Sequence, residues 1–213
     1  MKVAPSFLTC DFNHLESEIR SINKASWLHF DVMDGKFVPA KTYDHHMLET
    51  IREFSDQYFD CHLMMDDPIP SIKDYALSGA DSITFHYESD PSRVKEAIDE
   101  IKKYGKKVGI SIKPLTDIQV IFPYLDQLDL ILIMSVEPGK GGQKFIPESL
   151  DKIKLLDEMR KQNHYHYIIE VDGGINQDTS KLVKDAGIDV AVVGSFIFNQ
   201  VNRNELIEQL ENE

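Results

Sequence analysis

Apolar and β-branched residues collect in eight short runs: VAPSFL from residue 3, WLHFDV from 27, FDCHLM from 59, SITFHY from 82, KVGISIK from 107, LILIMSV from 130, YIIEVDGG from 167 and DVAVVGS from 189. Each has the length of a strand. Between them the apolar positions switch to helical spacing, as at Leu15, Ile19 and Ile22, at Val94, Ala97 and Ile101, and at Leu150, Ile153 and Leu156. Strand followed by helix, eight times over, predicts a closed parallel (β/α)8 barrel. The competing arrangement is an open doubly wound sheet, but no Gly-x-Gly-x-x-Gly follows the first run.

The alternation inside each run says which way its side chains point, because neighbours on a strand face opposite ways. Leu28, Phe30 and Val32 oppose Trp27, His29 and Asp31; Phe59, Cys61 and Leu63 oppose Asp60, His62 and Met64; Ile169 and Val171 oppose Glu170 and Asp172. A barrel accounts for this. The apolar set packs on the surrounding helices, and the other set points inward and turns polar toward the strand ends. Those ends, where barrel enzymes build their sites, carry Ser6, His29, Asp31, His62, His86, Lys113, Asp172 and Ser195.

At 213 residues the chain accommodates one such barrel, so residues 1–213 are expected to form a single catalytic domain. Hydrophobic residues at 42% and charged residues at 28% exclude a disordered or membrane composition. No apolar run approaches the roughly 20 residues needed to cross a bilayer, and MKVAPSFLTC lacks the apolar stretch of a signal peptide. Two cysteines, Cys10 and Cys61, have no metal-finger spacing and read as bland buried thiols, so a reducing cytoplasm is expected. A net charge of −13 with no basic cluster excludes a nucleic-acid partner. A small anionic substrate would then need local help, which helix N-termini and glycine amides supply.

His29 and Asp31 share one strand face, His62 ends the next strand inward and Asp172 ends the seventh. Two imidazoles and two carboxylates that converge make a mixed N/O donor set for one divalent ion, Zn²⁺, Fe²⁺, Mn²⁺ or Co²⁺, with positions left for a substrate. Taken singly, each is more often a hydrogen-bonded interior histidine or a capping aspartate than a ligand; four together on inward-facing strand ends favour a site. Glycine turns mark a second feature: Glu137 to Gln143 after strand six, Asp172-Gly173-Gly174 after strand seven and Gly194-Ser195 after strand eight. Such turns either serve tight βα connections or present amides to a phosphate. Met33, Met64 and Met134 fill the core or wall the site. Glu170, costly unless paired, is expected beside a metal histidine. His45 with His46, and His164 with His166, read as surface residues, His14 as a helix N-terminal residue, and His86 stands beside the site without a fixed role.

The motifs APSFLTCDF (4–12), HFDVMDGKFVPAKT (29–42), CHLMMDDP (61–68), TFHYES (84–89), MSVEPGKGGQKFIP (134–147) and VDGGIN (171–176) run in order over nearly the whole chain. Together they resemble ribulose-phosphate 3-epimerase. The resemblance implies an α/β fold, a (β/α)8 TIM barrel of the ribulose-phosphate-binding type. It also implies one divalent metal ion, a homo-oligomer and interconversion of D-ribulose 5-phosphate with D-xylulose 5-phosphate in the pentose phosphate pathway. Matched motif to motif, His29, Asp31, His62 and Asp172 would hold the metal, with Asp31 and Asp172 also the acid/base pair. Ser6 and His62 would touch the substrate. Gly139, Lys140, Gly141, Gly142, Asp172, Gly173, Gly174, Gly194 and Ser195 would line its path and hold its phosphate.

The chain departs from the family pattern around the mouth: Lys36 stands for His, Ala40 and Lys113 for Asn, Lys140 for Phe and Asp117 for Pro. These leave open an epimerase of a related ketose phosphate such as allulose 6-phosphate. A decarboxylase or hexulose-phosphate synthase would need Asp-x-Lys-x-x-Asp, and Pro39 interrupts that pattern after Asp34 and Lys36. A non-catalytic sugar-phosphate sensor on the same fold is a third reading, opposed by the intact acid/base and metal residues.

Overall fold

The computed structural model describes residues 1–212. Eight strands form where the sequence alternates: β1 Lys2–Pro5, β2 Trp27–Met33, β3 Tyr58–Met64, β4 Ser82–His86, β5 Lys107–Ile112, β6 Leu130–Met134, β7 Ile168–Asp172 and β8 Val190–Val193. All pair in parallel, in the order β1-β8-β7-β6-β5-β4-β3-β2. A parallel bridge from Ser6 to His29 joins the two ends and brings the ring to near closure. The expected barrel is therefore the observed one.

The connections are helices α1 Leu15–Arg20, α2 His46–Arg52, α3 Ile69–Leu77, α4 Val94–Lys103, α5 Ser149–Asn163, α6 Gln177–Ala186, α7 Ser195–Phe198 and α8 Arg203–Asn212. One connection differs from strict strand and α-helix alternation. Between β5 and β6 the chain runs as a 3-10 helix over Ile118–Gln127 with Pro123 inside it. Proline lacks the N–H an α-helix interior requires and its ring crowds the preceding turn. Asp117 starts this segment by accepting the Gln119 N–H.

The inferred facing of the strands is what packs the molecule. Leu28, Phe30, Val32, Phe59, Cys61, Leu63, Val108, Ile110 and Ile112 join one buried layer with helix residues such as Leu48, Ile98, Ile153 and Val183. Each such side chain, fully withdrawn from water, stabilises the fold by about 1.5–3 kcal/mol. Inside the ring, Trp27, Leu130, Leu132, Val190 and Val192 form a separate apolar cluster. Trp27 and Tyr58, at the strand starts, stack with ring centres 4.1 Å apart. The interior thus begins apolar and becomes polar toward the C-terminal strand ends, where Ser6, Asp31, His62 and His86 are buried.

Candidate active site

Strand register places the polar groups. His29 sits opposite Asp60 and Asp31 opposite His62 across the β2/β3 ladder, while Asp172 ends β7 beside Val192. The exit of β2 is fixed by Thr42, whose hydroxyl donates to the Asp31 carbonyl at 2.8 Å and accepts the Met33 N–H at 2.9 Å. The exit of β7 is held by Ser135, whose hydroxyl donates to the Asp172 and Gly173 carbonyls at 2.9 and 2.7 Å.

Asp31 is the hub. Its Oδ2 accepts the Ser6 hydroxyl at 2.5 Å. Its Oδ1 lies 3.5 Å from His29 Nε2 and 3.5 Å from His62 Nδ1, beyond the usual hydrogen-bond length. Both nitrogens are buried and have no hydrogen-bond partner among the described residues. One donor atom from each of His29, Asp31, His62 and Asp172 falls within 4.8 Å of the others. Ligand atoms about 2.1 Å from a tetrahedral ion would stand about 3.4 Å apart, so two imidazole nitrogens each 3.5 Å from one carboxylate oxygen match the spacing of ligands around a divalent cation. The four sequence candidates converge, making this a candidate metal centre.

Glu170, expected beside a metal histidine, does lie next to His29 but does not hydrogen-bond to it. Asp60 Oδ2, not Glu170, accepts from His29 Nδ1 at 2.7 Å, while Glu170 Oε1 is 3.9 Å from that nitrogen. Asp60 in turn accepts the Ser82 hydroxyl at 2.6 Å. A usable signal was present, since Asp60 lies two residues before His62 on the inward face. Burial raises the Glu170 carboxyl well above the usual range, and the Asp60 charge raises it further. Burial alone would raise Asp60 as well, but the His29 hydrogen bond, the His29 charge and the Ser82 hydroxyl together overcome it and hold Asp60 low.

Opposite environments separate the two proposed acid/base carboxyls. Burial opposes ionisation of Asp31, yet His29 and then His62 overcome it and keep Asp31 far below the ordinary carboxylate range. Asp172 is pushed up to about 7, first by burial and then by the Asp31 charge. Burial would lower His29, but Asp31 and Asp60 reverse this and raise it. For His62 burial prevails and its pKa is lowered.

A cavity of about 340 Å³ opens above this cluster at the strand ends, and Ser6, Asp31 and Asp172 reach it. Met33, Met64 and Met134, all buried, supply part of its wall. Gly139, Lys140, Gly141 and Gly142 line it from the β6 loop, and Gly173, Gly174, Gly194 and Ser195 from the β7 and β8 loops. His29 and His62 are fully buried and stand behind the lining, against Asp31. Thr9, Gln143, Asn176 and Asn199 also face the cavity; Thr9 ends a 3-10 turn, Gln143 sits in the β6 loop, and Asn176 and Asn199 cap α6 and α7, places where no periodicity distinguishes lining from exposed residues. At Gly174, φ is +66° and a Cβ would come within 2.4 Å of the Phe145 nitrogen, so the β6 and β7 loops meet there only through glycine. At the start of α2, His46 is exposed and paired with Glu49, consistent with the surface reading, whereas His45 is half-buried with its Nδ1 3.0 Å from the Ser78 hydroxyl, which corrects that reading.

The model of the ribulose-phosphate 3 epimerase family matches residues 2–198. Ribulose-phosphate 3-epimerase of Bacillus subtilis is 42% identical over 99% of this chain and 98% of its own length. That of Mycobacterium bovis is 43% identical over 92% and 85% respectively. In fold alone, KGPDC from Streptococcus mutans in complex with D-R5P superposes with a TM-score of 0.75 at 16% identity, covering 99% of this chain and 95% of that one. With a family match spanning nearly the whole barrel and relatives above 40% identity, this chain belongs to the ribulose-phosphate 3-epimerase family.

Proposed function

We propose that the barrel is one catalytic domain that interconverts D-ribulose 5-phosphate and D-xylulose 5-phosphate by two-base proton transfer. The observation that carries the proposal is a pair of carboxyls, from β2 and β7, that share one donor cluster and have oppositely shifted proton affinities. Inverting C3, next to the C2 carbonyl, requires a proton to leave one face and another to arrive on the opposite face. Asp31, held ionised, accepts the C3 proton; the resulting enediolate is planar; Asp172, from across the barrel, delivers a proton to the other face. The reverse reaction exchanges their roles.

His29, Asp31, His62 and Asp172 would hold one Zn²⁺, Fe²⁺, Mn²⁺ or Co²⁺, with Asp60 orienting His29. Such an ion supplies Lewis-acid stabilisation of the negative charge that develops on the substrate oxygens, worth several kcal/mol. Ser6 holds the Asp31 carboxylate by its hydrogen bond, while Met33, Met64 and Met134 keep the reacting carbon in apolar surroundings. Amides of the glycine turns after β6, β7 and β8 bind the phosphate. The setting we assign is the cytoplasm: among the described residues no helix is long and apolar enough to cross a membrane.

The deciding experiment assays a panel of pentulose and hexulose phosphates with the metal-stripped and reconstituted enzyme. Asp31→Asn and Asp172→Asn are expected to fold normally and lose turnover by about 10²-fold or more, the usual scale of a positioned acid or base. Substantial epimerisation retained by either variant would falsify the two-base assignment.

A further inference from the structure

His62 has a second ring nitrogen that faces away from the proposed metal, and a built chain of hydrogen bonds stands behind it. His62 Nε2 is 2.9 Å from His86 Nε2, both rings being fully buried. His86 Nδ1 is 3.2 Å from Glu88 Oε2. Glu88 Oε1 accepts the Lys113 N–H at 2.7 Å and also the Thr116 hydroxyl. The turn that supplies those two donors is pinned by Lys152, whose ammonium donates to the carbonyls of Lys113, Pro114 and Thr116 at 3.1, 2.7 and 2.6 Å. Phe37 packs on the His86 ring with centres 4.7 Å apart.

These contacts dictate where the protons sit. A carboxylate only accepts, so His86 must turn an Nδ1–H toward Glu88. The neutral ring then has a lone pair at Nε2, and His62 must donate its own Nε2–H to it. That leaves His62 Nδ1 bare, the very nitrogen that faces Asp31 Oδ1 without another partner. His29 reaches the same state directly, by donating Nδ1–H to Asp60.

We propose that Glu88 and His86 are positioning residues that act through His62, selecting the tautomer in which it can bind the metal. The inference rests on the metal reading given above. It places the origin of metal affinity partly at the end of β4 and in the turn after it, on residues that do not reach the cavity.

Glu88→Gln tests it with minimal change of shape. The carboxamide oxygen would keep the Lys113 N–H and the Thr116 hydroxyl, turning the NH₂ toward His86. His86 Nδ1 would then have to accept, its Nε2–H would point at His62, and the His62 proton would move to Nδ1. Affinity for Zn²⁺ or Co²⁺, measured by chelator competition, is expected to fall about 10- to 100-fold, the range for partners of metal-bound histidine. Nitrogen-15 NMR of the metal-free protein should show the His62 ring change from the Nε2–H to the Nδ1–H form. His86→Gln, which can still offer a carbonyl oxygen to His62 Nε2–H, should lose far less affinity than Glu88→Gln. Should wild type bind the ion while Glu88→Gln binds it equally well with an unchanged His62 tautomer, the relay is wrong. Equal losses from both variants with that tautomer unchanged would likewise reject it as a mere packing effect. Failure of wild type to bind any of the four ions would instead overturn the metal reading, and the relay with it.

Discussion

Asp172 is the residue whose behaviour separates this site from a set of structural hydrogen bonds. Its carboxyl is raised from an ordinary 3.8 to about 7 by burial and by the neighbouring Asp31 charge. In the metal-free protein a raised folded-state value means that the unfolded chain loses this proton first. The Asp172 contribution to stability is therefore fully present below about pH 4, declines as pH rises through that range and levels off above about pH 7. Asp172→Asn removes the titration, so the stability difference between variant and wild type, read from urea unfolding in chelator, should grow in the variant's favour between those limits. A difference that does not change with pH would show that Asp172 is solvated and unperturbed by Asp31. His29, Asp31, His62 and Asp172 were legible in the sequence because period-two alternation puts them all on the inward face. Asp60 carries the same facing, but its contact with His29 depends on the β2/β3 register, which a single run of sequence does not contain. Glu170 was expected as the partner for that reason, since inwardness alone says nothing of which neighbour stands opposite.

At the scale of elements, the strands were legible throughout and the loops only as glycine-bearing turns. The β6 loop shows what was hidden. Gln143 closes it by donating to the carbonyls of Glu137 and Lys140 at 2.6 and 2.8 Å. Gly139, with φ of +104°, brings it against Val38 of the β2 loop, where a Cβ would approach to 2.8 Å. Motif order revealed none of this contact between loops distant in sequence. Among the described residues lining the cavity, Lys140 is the only lysine, arginine or histidine, while Asp31, Glu137 and Asp172 contribute carboxyl groups to the same wall. An exposed ammonium facing a phosphate is worth about 0.2–1 kcal/mol, so Lys140→Ala should raise KM for a phosphorylated ketose roughly 1.5- to 5-fold and leave kcat unchanged. The same variant should show a smaller loss of kcat/KM on adding salt, because the attraction that salt screens has been removed. Identical KM and salt response in variant and wild type would place the lysine outside the substrate's reach.

For the molecule as a whole, the site depends on the width of a ring that is filled rather than hollow. Thr84 of β4 and Gly109 of β5 are register partners, and a Cβ added at Gly109 would stand 2.0 Å from the Thr84 hydroxyl and 2.8 Å from its Cβ. The glycine is a packing requirement inside the barrel, beside Ser82, His86 and Ser111, all fully buried. A methyl group there must push β4 and β5 apart or twist Thr84 from its place, at a cost of about 1–3 kcal/mol. Gly109→Ala should therefore lower Tm by about 2–4 °C for each kcal/mol lost, the scale for a chain of this size. Thr84→Ala in the same chain should restore much of the loss, because it empties the space that the new methyl group needs. The coupling reaches function through His86, which ends β4 and touches His62: a spread ring would shift His62 before it shifted Asp172 on the far side. Metal affinity of Gly109→Ala should consequently fall with its stability and recover in the double variant. Additive destabilisation, with no recovery of either property, would mean that the interior tolerates the methyl group and that strand spacing does not set the site.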